Sequence, residues 1–87
     1  DISIDHVIPW SYMYSDDLWN LVYVHKGCNS SKSNILPTET TIENLKRRNL
    51  LLLKVLNENG IKDKHFSELE LSVEKGFPMK FWIGFKG

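Results

Sequence analysis

A proline at position 9 closes the first apolar run of this chain, and it limits how the opening segment can be used. Ile2, Ile4, Val7 and Ile8 make residues 2 to 8 β-prone, and Pro9 has no N–H to donate to a strand ladder, so the predicted strand ends there. The next segment, "WSYMYSDD", has no clean period and ends in turn-forming Ser15, Asp16 and Asp17, which predicts a long loop with aromatic anchors. A second β-prone run, "LVYV", occupies 21 to 24. After "HKG", the small polar stretch "CNSSKSN" precedes Pro37 and predicts a short helix opening after Gly27. Strand, loop, strand and short helix in that order allow a hairpin with the helix folded back across it.

The second half reads as helical. Thr40 followed three residues later by Glu43 is a capping-box pattern, and Asn59-Gly60 supplies a stop. Between them Ile42, Leu45, Asn49, Leu52, Leu53 and Leu56 share one face, with Lys46, Arg47 and Lys54 largely elsewhere. Asp63 is placed to cap a further helix carrying Phe66, Leu69 and Val73, which Gly76 and Pro78 would end. In "FPMKFWIGF", Phe77, Met79, Phe81, Ile83 and Phe85 alternate strictly, the period of a strand. Trp10, Trp19 and Tyr23 are expected in the core, because a small domain needs aromatic bulk. With 87 residues there is room for one small domain and not two. The expected fold is therefore α+β: a hairpin and short helix, then a long helix, then a smaller C-terminal helix and extended segment, forming one domain over 1–87.

The chain begins on Asp1 with no initiator Met and reads as a piece of a longer protein. A single cysteine, Cys28, excludes an internal disulfide, and neither a signal-peptide pattern nor a long apolar span is present. A cytoplasmic protein that avoids membranes is expected. The formal net charge is zero, but its distribution is uneven. Residues 1 to 25 hold Asp1, Asp5, Asp16 and Asp17 with no Lys or Arg, whereas 26 to 54 hold Lys26, Lys32, Lys46, Arg47, Arg48 and Lys54 against Glu39 and Glu43. An acidic end beside a basic middle suits a metal facing a polyanion.

Asp5 and His6 sit together near the end of the first predicted strand, Asn20 at the mouth of the second, and Asn29 in the first turn of the short helix with Lys32 one turn on. Each type has a task in phosphodiester hydrolysis. The Asp5 carboxylate and the Asn29 amide oxygen are hard ligands suited to Mg²⁺. Histidine exchanges protons near neutral pH, which makes His6 a fitting general base. A carbonyl of Asn20 can fix the His6 tautomer, and Lys32 adds positive charge near a phosphate. Taken singly, each residue has an ordinary structural use: a satisfied pair at a strand end, a turn asparagine, a helix cap. It is their spacing within a β-β-α order, with Pro9 and Lys32 in register, that favours chemistry.

"DHVIP", "WNLV" and "CNSSKSNILP" together resemble the HNH endonuclease family over residues 2 to 37. The spacing is similar to the HNH domain of RNA-guided CRISPR nucleases, including the "DD" before the middle Asn. The resemblance implies a ββα-metal fold and a Mg²⁺- or Mn²⁺-dependent nuclease acting on nucleic acid, DNA being the expected substrate. It implies Asp5 and Asn29 as metal ligands, His6 as general base and Asn20 as the middle asparagine of the motif. The family's last metal position is often His, and Asn29 departs from that pattern in the way the CRISPR-type branch does. Residues 38–87 carry no resemblance of their own. His25 and Cys28 form a His-x-x-Cys knuckle, half of a tetrahedral Zn²⁺ site whose other ligands would come from outside this sequence; an ordinary histidine and a core thiol fit equally well. The rival expectation is a non-catalytic nucleic-acid-binding or zinc-stapled module on the same scaffold.

Overall fold

The computed structural model describes residues 2–25 and 36–86. In chain order these form β1 (Ile2–His6), α1 (Trp10–Met13), a 3₁₀ turn (Leu18–Asn20), β2 (Leu21–His25), α2 (Glu39–Glu58), α3 (Lys64–Lys75) and α4 (Phe77–Lys86). The architecture is α+β, a two-stranded antiparallel hairpin followed by helices. The short helix expected over 28–34 lies outside the described residues. Among the described residues no helix is long and apolar enough to cross a membrane.

Cross-strand partners run from Ile2 opposite His25 to His6 opposite Leu21. Side chains alternate along a strand, so Ser3, Asp5, Val22 and Val24 share one face, and Ile2, Ile4, His6, Leu21, Tyr23 and His25 share the other. β1 stops at His6, two residues short of the expected end. Val7 and Ile8 leave the ladder and turn into the core, where Ile8 is fully buried. Pro9 then serves as the cap of α1, a single turn inside the segment expected to be loop. α1 ends at Tyr14, whose φ of 54° lies in the left-handed region.

The core joins both halves of the chain. Val7, Ile8 and Trp19 from the hairpin segment pack with Ile42 and Leu45 of α2, Leu69 of α3 and Trp82 of α4. The predicted apolar face of α2 is the one used, Ile42, Leu45 and Asn49 being buried and Leu52, Leu53 and Leu56 half-buried. Of the three aromatics expected inside, Trp19 is buried, whereas Trp10 and Tyr23 are exposed. Tyr23 stands opposite Ile4 on the outer sheet face, and Trp10 stacks edge-on against Tyr14 at 4.9 Å.

Two expectations need correction. The cap of α2 is Thr38 and not Thr40: its Oγ1 accepts from the Thr41 N–H at 3.3 Å. Starting there adds a backbone bond from Ile42 N–H to Thr38 O and seats Glu39 in the first turn, where a carboxylate favours the helix dipole. The C-terminal segment is helix and not strand. Gly76 ends α3 in the left-handed conformation at φ 65°, and the chain re-enters helix at once, with Pro78 in the first turn where its missing N–H costs nothing. Phe77, Phe81 and Phe85 then fall four apart, and Phe77 and Phe81 lie against Trp19 while Phe85 meets Tyr12. Ile83, which a strand would have placed in line with them, is exposed.

Candidate active site

Asp5 and His6 occupy the last two rungs of β1, opposite Val22 and Leu21, and both are half-buried. Alternation sends them to opposite faces, but His6 sits on the final rung, where the ladder gives way to the Val7–Ile8 bend. From there its Nε2 lies 2.8 Å from Oδ1 of Asp16, in the loop before the 3₁₀ turn. The His6 side chain retains 23% exposure and Asp16 76%, so the pair sits at the surface, one end of it in water. Asp16 also lines a groove of about 220 Å³ with Leu18, Leu21, Leu56, Ile61 and His65.

Asn20 is buried to 1% exposure, and its carboxamide is used at both ends. Oδ1 accepts from the Ile8 N–H at 2.8 Å, Nδ2 donates to the Ile8 carbonyl at 2.9 Å, and the Asn20 backbone carbonyl accepts from the Val7 N–H at 2.9 Å. A buried backbone bend has no ladder to satisfy it, and one asparagine supplies both the donor and the acceptor. Asn20 therefore holds the bend immediately after His6.

The 3₁₀ turn that carries Asn20 is held in turn by α2. The Arg48 guanidinium donates to the carbonyls of Leu21 (2.6 Å), Trp19 (3.2 Å) and Leu18 (3.3 Å) and to Oδ1 of Asn49 (2.9 Å). Asn49 Nδ2 donates to the same Trp19 carbonyl at 2.9 Å. Desolvation lowers the pKa of Arg48 from its ordinary value, as expected for a cation facing carbonyl dipoles away from bulk water.

Of the residues singled out in the sequence, Asp5, His6 and Asn20 are gathered at one end of the hairpin. His25 is exposed at the other end, opposite Ile2. Cys28, Asn29 and Lys32 lie outside the described residues. Among the described residues there is no group of three or more His, Cys, Asp or Glu side chains able to hold a metal ion. Sequence reasoning missed Asp16 as the partner of His6, although the "DD" pair was visible, and missed that Arg48 points inward.

The hairpin, the bend and Asn20 all lie in the first 38 residues, the part of the chain that the comparison with known families covers. Residues 1–38 match the HNH endonuclease family. No curated protein and no solved structure matches the chain. The likeness carried by "DHVIP", "WNLV" and "CNSSKSNILP" is thus to HNH endonucleases as a family. Arg48, Asn49 and the three long helices stand outside the HNH segment.

Proposed function

We propose that this chain is a metal-dependent HNH endonuclease domain that hydrolyses phosphodiester bonds of nucleic acid, with DNA as the expected substrate. The observation that carries the proposal is the placement of His6 on the last rung of β1, 2.8 Å from Asp16 and beside Asp5, inside the HNH-matching segment. His6 accepts a proton from the water that attacks phosphorus; the new P–O bond forms as the bond to the leaving oxygen breaks. Asp16 holds the ring and complements the charge the proton brings. Asn20 acts as a positioning residue through the Val7–Ile8 bend.

Asp5 fits the metal by donor chemistry: a half-buried carboxylate supplies the hard anionic oxygen that Mg²⁺ or Mn²⁺ prefers. Its expected companion is the Asn29 amide. Such an ion, when bound, would stabilise charge on the phosphate and the leaving oxygen. Lys32 is assigned to a neighbouring phosphate. His25 and Cys28 would supply half of a structural Zn²⁺ site only with further ligands from outside this sequence, in which case metal analysis of a longer chain would find one zinc per chain.

The decisive substitution is His6→Ala. It is expected to abolish Mg²⁺-dependent plasmid cleavage while leaving the far-UV spectrum unchanged. Full activity in that variant would end the assignment. A wild-type chain that retards DNA on a gel but cuts it in neither Mg²⁺ nor Mn²⁺ would favour a binding module instead.

A further inference from the structure

The helix following the HNH segment reaches back into it through two adjacent side chains. Arg48 gathers the carbonyls of Leu18, Trp19 and Leu21 on one guanidinium, and Asn49 adds a second donor to Trp19. Leu21 is the cross-strand partner of His6, so the carbonyl held at 2.6 Å belongs to the rung that carries the base. Asn20, between Trp19 and Leu21, bonds the Ile8 N–H and carbonyl. Two routes thus run from α2 to His6, across the ladder through Leu21 and along β1 through Asn20 and the bend.

We infer that Arg48 and Asn49 are positioning residues for the nuclease site, fixing the 3₁₀ turn so that both the bend after His6 and the rung opposite it are held in place. The inference rests on the nuclease reading of His6. It gives the segment after residue 38 a task in the reaction without contact with substrate. Arginine suits that task because its planar fork offers five donors in fixed directions, whereas a lysine ammonium is a point charge on a flexible stem.

The test uses the full chain and plasmid nicking in Mg²⁺, with hydrogen exchange at the Val7 and Ile8 amides measured well below the unfolding temperature. Arg48→Met keeps the aliphatic stem and removes the donors. Its kcat is expected to fall about 10–100-fold, the usual range for partners that orient a site, while KM for DNA holds. Val7 and Ile8 should lose protection in the same variant. Arg48→Lys, which retains the charge, should recover part of both signals and serves if the methionine variant does not fold. Arg47→Met, at the exposed neighbour, should change neither kcat nor the two amides.

A lower melting temperature with kcat and exchange unchanged would make Arg48 a stabilising residue only and overturn the inference. A raised KM at constant kcat would make it a DNA contact, with the same result. If the wild-type chain cuts no nucleic acid with any divalent metal, the nuclease reading fails by itself. Exchange at Val7 and Ile8 still decides whether the clamp exists, unchanged protection in Arg48→Met refuting it.

Discussion

Asn20 shows how much one side chain can settle. Its two amide ends match the N–H and C=O of one buried residue, Ile8, and no other uncharged side chain of that length offers both a donor and an acceptor. Each buried backbone group left without a partner costs about 1–3 kcal/mol, so Asn20→Ala, which strips two, should lower the urea midpoint markedly. Asn20→Asp can still accept from the Ile8 N–H but buries a carboxylate oxygen against the Ile8 carbonyl, so its midpoint should fall at least as far as that of the alanine variant. A midpoint for Asn20→Asp equal to that of wild type would mean that the carbonyl bond contributes nothing. Asp16 lies at the opposite extreme, exposed and joined to His6 at the surface. Asp16→Asn should lower the cleavage rate about tenfold, as loss of an orienting carboxylate does. The same variant should unfold within about 0.5 kcal/mol of wild type, because little is buried there. A rate that does not change would separate Asp16 from the chemistry.

Among the elements, the ends of helices are where local sequence was ambiguous. Thr38, Thr40 and Thr41 can all cap a helix, and the chain uses the earliest. Thr38→Ala should therefore cost about 0.5–2 kcal/mol in thermal unfolding, whereas Thr40→Ala should stay near wild type. The reverse order would restore the later cap. Gly76 provides a second check, because a Cβ added there meets nothing within 4 Å and the whole cost is the left-handed backbone at φ 65°. Gly76→Ala should lose about 1–2 kcal/mol by the same measurement, and no loss would mean that the α3–α4 junction can adopt another path. The mistaken strand over 77–85 has an arithmetic cause. Residues four apart satisfy both an alternating pattern and a helical face, so Phe77, Phe81 and Phe85 could not discriminate. Trp82 could: strand alternation sets it on the face away from the phenylalanines, yet it is buried and its Nε1 donates to the Pro37 carbonyl at 2.7 Å. A large aromatic beside an apolar alternation is the signal that favoured a helix.

Across the whole molecule, the HNH segment and the helices share one core. Trp19 stacks on Phe81 at 5.7 Å, Trp82 bonds to Pro37, and Arg48 holds the 3₁₀ turn from a helix 27 to 30 residues away in sequence. The chain should accordingly unfold in a single transition, with tryptophan fluorescence and far-UV signals coinciding. Separate transitions would show that hairpin and helices are independent units. The residues by themselves determined the local choices: the two β-prone runs, the apolar face of α2, the stops at Gly60 and Gly76, and a first stretch of 38 residues that matches the HNH endonuclease family. These depend on propensity and period, which act between near neighbours. Only the tertiary structure decided that His6 meets Asp16, that Asn20 spends its amide on Ile8, that Arg48 turns inward and that the last segment is helix. Each of those outcomes pairs groups on different elements, and their relative placement follows from burying one shared core, a sum over the whole chain that no short stretch contains.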